Sequence, residues 1–170
     1  MHQSTRLQIL AIALFATTAL SALDVASSDG ASTPGRERAA AADFQAIEIR
    51  AADGVLLAGR YYSSPRPGPG LLFLNMCDPA EDQSQWTDLA TQLAGRGFHV
   101  VTFDYRGFGM SGGSMPSGLK SLDEAINYWR TSWIEDVEAA FRVLATYPDV
   151  ISIRGMAAAS CGVVMAVEMA

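Results

Sequence analysis

A serine sits between small residues in Ala158-Ala159-Ser160-Cys161-Gly162, behind a β-branched apolar run and ahead of an apolar helical one. A hydroxyl on so sharp a strand-to-helix turn can point out above a sheet and attack an acyl carbon, provided a base takes its proton. The residues two before and two after the serine must be small, or they clash. Ala158 and Gly162 meet that need. Alone, the pattern is weak, because a serine that merely caps a helix leaves the same letters.

Other residue types able to do chemistry are few. The chain has two cysteines, Cys77 and Cys161, and two histidines, His2 and His99. Their spacing matches no metal motif, so neither a metal nor a cofactor is expected. His99 follows Gly97-Phe98 at a strand entrance, where a satisfied structural histidine explains it better than a base. Glu135 and Glu138 are accounted for by a helix cap and a solvated helix face. Trp129 and Trp133 suit either a cleft wall or an anchor between helix and sheet.

Asp104-Tyr105-Arg106-Gly107-Phe108-Gly109-Met110-Ser111 directly follows the apolar strand Val100–Phe103. Taken in order, this D-x-R-G-x-G-x-S turn and the Ser160 turn resemble the α/β-hydrolase superfamily. The resemblance covers residues 43–170 and looks most like serine esterases and dienelactone-hydrolase-type enzymes with Ser-Cys-Gly at the turn. It implies Ser160 as the nucleophile and a small-molecule acyl substrate, an ester, lactone or similar compound. It also implies two backbone donors for a developing oxyanion. One is the N–H of Cys161. The other comes from the loop after the strand Leu71–Leu74, where relatives usually carry His-Gly and this chain reads Asn75-Met76-Cys77. By position Cys77 donates, with Met76 as the rival. Asp104, Arg106, Gly107 and Gly109 read as structural, Asp104 and Arg106 forming an ion pair that pins the turn.

In that superfamily the acid and the histidine follow the nucleophile. Ten residues follow Ser160, none of them His, and Glu168 lies on the helix of the turn itself. The expectation is therefore the N-terminal half of a hydrolase, truncated after the nucleophile-elbow helix and inactive as it stands. The alternative is a non-catalytic binding or partner protein that kept the fold and lost the base. If Cys77 and Cys161 both serve one oxyanion, their backbones approach within reach of a disulfide, which needs Cα atoms roughly 4.4–6.8 Å apart. Either they bridge or they remain two buried thiols pointing apart.

The positioning elements are read from periodicity and turn chemistry. Residues 45–62 form an antiparallel hairpin about Asp53-Gly54, with both central residues at positive φ. Residues 63–70 form a loop, and 70–74 a strand buried on both faces. A helix over 86–94 is capped by Asp82 or Ser84 and ended by Gly95 or Gly97. The strand 100–103 and the glycine-rich loop lead to a helix starting at the capping box Ser132–Glu135, with Pro148 behind it. Then come a buried strand over 150–153 and a helix from Cys161, nearly all apolar and expected to be buried on every side. The fold class is α/β: an α/β-hydrolase-type, mostly parallel sheet with an N-terminal antiparallel hairpin.

Upstream, residues 1–22 have the layout of a signal peptide. A short polar start precedes the apolar run Leu7–Leu20, which falls short of the ~20 residues that span a membrane. Ala19-Leu20-Ser21 offers the cleavage site. Residues 23–42 read as a disordered linker and 43–170 as the hydrolase domain. A periplasmic or secreted protein is expected, touching membrane only through an uncleaved signal segment. The net charge of −6, with no basic stripe, argues against nucleic acid.

Overall fold

The computed structural model describes residues 44–116, 118 and 120–170. The signal-peptide and linker expectations lie outside the described residues. Five strands form one sheet in the order β1-β2-β4-β3-β5: β1 Gln45–Arg50, β2 Leu56–Tyr62, β3 Gly68–Leu74, β4 His99–Phe103 and β5 Val150–Ala158. β1, β2 and β4 pair antiparallel, whereas β3 runs parallel to both β4 and β5. Side chains alternate between two cores, as the period of a strand requires. Leu72, Leu74, Val101 and Phe103 face one way, while Phe73 and Val100 face the other, under Ala90 and Ala94 of α1 (Thr87–Gly95). On the first face lie α3 (Ile134–Thr146) and α4 (Gly162–Glu168), through Val137, Leu144 and Met165.

The hairpin forms where expected, but its turn differs. Only Gly54 has positive φ, at +91°. Gly54 N–H donates to Ala51 O, and Ala51 N–H to Val55 O, at 3.0 and 2.9 Å. Asp-Gly here ends a right-handed turn in a glycine bulge instead of occupying both left-handed sites. β3 also begins earlier than its apolar run, at Gly68, because β5 reaches down to pair Val150 with Gly68. Pro69 is tolerated in this strand: pairing with β4 starts only at Gly70, and the β5 ladder is irregular at that point. β5 runs on to Ala158 and is half-exposed, not buried, since it ends the sheet. α4 likewise is not buried on every side: Val167 is 61% exposed, and Glu168 pairs with Arg130 at 2.8 Å.

The largest departure lies between β4 and β5. Ser132 caps nothing. α2 (Leu122–Tyr128) passes through one π turn, Trp129–Trp133, into α3 without a break. The cap is Ser121: Glu124 N–H donates to Ser121 Oγ at 3.1 Å, and Glu124 Oε2 reaches back to accept from Lys120 N–H, one residue before the cap, at 2.6 Å. Glu135 instead lies 3.7 Å from Arg106.

The Asp104–Arg106 ion pair does not form. Arg106 donates through Nε and Nη2 to Asp136, at 2.9 and 2.7 Å, and through Nη1 to Asp53 at 2.6 Å. Its backbone N–H also donates to Asp136. Asp104 accepts from neutral donors: Gln83 N–H at 2.7 Å, Gln83 Nε2 at 3.2 Å and Met110 N–H at 3.3 Å. Burial, with only neutral donors to offset it, pushes the Asp104 carboxyl up. The motif's other letters follow from packing around that carboxylate. A Cβ at Gly109 (φ +50°) would fall 2.2 Å from Asp104 Oδ2. Ser111 Oγ donates to Asp104 O and accepts from Ala58 N–H, tying the turn to β2.

Candidate active site

The C-terminal ends of the adjacent strands β3 and β5 build the site. Leu74 lies opposite Ala158, and Ala159 N–H donates to Leu74 O at 3.1 Å. One residue on, Ser160 has φ +50°, the only positive value outside glycine among the described residues. The chain then turns at once into α4, with Gly162 N–H donating to Ala159 O at 2.9 Å and Val163 N–H to Ser160 O at 3.0 Å. A left-handed non-glycine residue costs about 1–2 kcal/mol, and such strain clusters at functional turns. Ser160 is exposed. Replacing it with glycine should therefore raise the unfolding free energy by about 0.5–1 kcal/mol, and alanine should not. Urea titration of both variants checks this, and equal gains for the two would count against strain at the turn.

Gly162 is required by the approach of β3 and not by its own torsion. A Cβ there would meet Asn75 O at 2.8 Å and Leu74 O at 2.9 Å, both backbone atoms. Gly162→Ala should cost about 1–3 kcal/mol by overpacking, seen as a lowered thermal midpoint. Ala158, on the other side of the serine, is accommodated as it is, partly buried.

The same convergence brings Cys77 and Cys161 together. Their Cα atoms are 5.8 Å apart and the sulfurs are bonded, resolving the alternative left open by the sequence in favour of the bridge. Among the described residues, the N–H groups of Met76, Cys77 and Cys161 have no protein acceptor. Ser160, Cys161, Cys77 and Met76 all line one open cleft of about 760 Å³. Its far wall is α2 and the π turn, through Leu122, Ile126 and Trp129. Trp133, fully buried, holds that wall: its ring stacks on Tyr105 at 4.7 Å and meets Phe108 edge-on at 5.3 Å. Thus the two aromatic residues of the Asp104–Ser111 turn, Tyr105 and Phe108, orient the helix that carries Trp129. Of the two tryptophans, one lines the cleft and the other anchors.

Other candidates lie elsewhere. His99 is fully buried at the opposite end of the sheet, bonded through Nδ1 to Tyr61 Oη at 2.6 Å and through Nε2 to Arg66 O at 3.1 Å. Among the described residues, Asp78 is the one ionisable group lining the cleft, and it accepts from Ala80 N–H at 2.9 Å. No described side chain hydrogen-bonds to Ser160 Oγ, and no cluster of three metal-ligating side chains occurs among the described residues. Asp136 escaped the sequence reading. Its signal was present: it stands three residues after Trp133 and four before Ala140, on the buried stripe of its helix, where a carboxylate needs a cation.

No family model matches the chain. It is 35% identical over 96 residues to two uncharacterized proteins of Mycobacterium tuberculosis, from strains CDC 1551 and H37Rv. The match covers 55% of this chain and 34% of each relative, so it spans about a third of the length of these curated relatives. Among solved structures, an esterase of Pyrococcus furiosus superposes with a TM-score of 0.57 at 22% identity, over 74% of this chain and 45% of that one. A mutant epoxide hydrolase of Vigna radiata gives 0.57 at 18%, over 75% and 34%. An α/β hydrolase from Novosphingobium aromaticivorans gives 0.56 at 22%, over 76% and 40%. The described residues have the α/β-hydrolase fold.

Proposed function

We propose that this chain carries the nucleophile and oxyanion side of an exported serine hydrolase acting on an ester, lactone or similar acyl substrate. Ser160 Oγ attacks the acyl carbon, and the Cys161 and Cys77 N–H groups receive the oxyanion. The observation that carries this reading is the left-handed, exposed Ser160 at the mouth of a cleft, between small neighbours. Two aligned backbone donors are each worth a few kcal/mol in a transition state that develops charge there. The mostly apolar cleft wall suits an uncharged acyl group.

The test is made on the protein as its gene encodes it. A fluorophosphonate should leave its adduct on the peptide following Arg154, and Ser160→Ala should abolish both the adduct and turnover of a p-nitrophenyl ester. Turnover that survives Ser160→Ala would refute the assignment. A competing reading, a partner-binding protein without catalysis, is favoured by one observation: no histidine stands near Ser160 among the described residues. Under that reading the fluorophosphonate leaves no adduct on Ser160. Export is tested separately. In a host with a Sec pathway, N-terminal sequencing of periplasmic protein should begin near Ala22 or Leu23, and an intact Met1 would count against cleavage.

A further inference from the structure

The loop from β3 to the 3-10 turn Gln83–Trp86 is hydrogen-bonded to the fold at both ends. Asn75 Nδ2 donates to Phe103 O at 2.9 Å, and Gln83 N–H donates to Asp104 Oδ1 at 2.7 Å. Between those ends its hydrogen bonds stay local: Ala80 N–H to Asp78 Oδ1 and Glu81 N–H to Asp78 O. Among the described residues, no hydrogen bond fixes Met76 or Cys77 to the Ser160 turn. The covalent tie from Cys77 to Cys161 does.

We infer that this disulfide is the positioning element for the Cys77 N–H and that a small dithiol opens it from the cleft, making the site responsive to redox state. The inference rests on reading the site as an oxyanion hole. Cys77 is partly exposed and lines the cleft together with Cys161, which is otherwise buried. Attack therefore falls on Cys77 Sγ. The reagent thiolate bonds to that sulfur, the Cys77–Cys161 bond breaks, and Cys161 leaves as a thiolate that takes a proton from solvent. The second thiol of the reagent then displaces Cys77 as a thiol and closes the reagent's own disulfide. Two electrons pass from the dithiol to the bridge. The sheet itself does not depend on the bridge, because β3 is held by ladders to β4 and β5 on either side. Opening should thus release the loop and leave the core folded.

The experiment uses dithiothreitol on the folded chain without denaturant, followed by iodoacetamide and peptide mass mapping. The bridge should open, with Cys77 alkylating about tenfold faster than Cys161. Cleavage by a Glu-specific protease after Glu81 should rise about tenfold on reduction, and after Glu138, exposed on α3, it should stay within about twofold. A bridge that resists until denaturant is added, equal acceleration at both sites, or no acceleration at Glu81 would each overturn the inference. In the protein as its gene encodes it, reduction should lower kcat for a p-nitrophenyl ester about tenfold or more, with KM within about twofold, and reoxidation should restore it. An unchanged kcat would overturn the positioning role. Turnover insensitive to Ser160→Ala would instead sink the esterase reading alone, leaving the alkylation and proteolysis results to decide the redox inference by themselves.

Discussion

Asp136→Ala is expected to lower the unfolding free energy by about 3–5 kcal/mol, the cost of removing one partner from a buried ion pair. Asp136 has no exposed surface, and Arg106 retains 9%. Deleting the carboxylate removes the acceptor for three donors of one residue, the backbone N–H, Nε and Nη2 of Arg106. Asp53, 42% exposed in the hairpin turn, cannot take that charge into the interior. Burial pushes the Asp136 carboxyl up, so the site is costly to charge, and the Arg106 donors are what keep it tolerable. Total stability for a domain of this size is ~5–15 kcal/mol, so the variant should unfold at markedly lower urea. Two controls separate pairing from bulk. Glu138→Ala removes an exposed i,i+4 pair with Arg142 and should change stability by less than about 0.5 kcal/mol. The double variant Arg106→Met with Asp136→Leu should recover most of the loss, since well-packed apolar replacements of buried ion pairs are often neutral or better. A loss under about 1 kcal/mol for Asp136→Ala would show that water reaches Arg106 and that the pair matters little.

That ion pair also marks the limit of what the sequence could tell. Period-two and period-3.6 patterns located the hairpin, the strands of the sheet and α1, because burial on a fixed face dictates them. The Ser160 turn was legible because sterics at one sharp turn demand small residues at two fixed offsets. The partner of Arg106 was not legible locally. Asp104 is near in sequence, but its carboxylate is taken up by Gln83 and the Met110 N–H, and the cation went to carboxylates 30 and 53 positions away. The start of the second helical segment was misplaced for a related reason. Ser132-x-x-Glu135 and Ser121-x-x-Glu124 carry the same capping signature, and only tertiary packing chooses between them. Burying Trp133 against Tyr105 keeps the chain helical through the π turn, so the first serine is the one left at an end. The disulfide needed strand order as well as residue types, since only the adjacency of β3 and β5 brings positions 84 apart into range.

The 170-residue chain itself should turn over a p-nitrophenyl ester no faster than buffer, and Ser160→Ala should leave that rate unchanged. Serine at its ordinary pKa is a poor nucleophile, and acyl transfer requires a group within hydrogen-bond reach to take its proton. Among the described residues nothing bonds to Ser160 Oγ, His99 is sealed behind Tyr61 and Arg66, and Asp78 is engaged in its own turn. Glu168 is drawn to Arg130 on the side of α4. Removing the base from a serine triad costs on the order of a millionfold in kcat, whereas the oxyanion donors alone retain only about 10³–10⁴ over water. With the chain about 10⁴-fold below the substrate concentration, a residual of that size adds no more than the spontaneous hydrolysis of an activated ester, and it does not use Ser160. The decisive measurement is initial rate against chain concentration, for the unmodified chain and for Ser160→Ala. A slope that rises with the unmodified chain and vanishes in the variant would mean that a proton acceptor reaches Ser160 in solution, and Asp78 would be the first residue to replace.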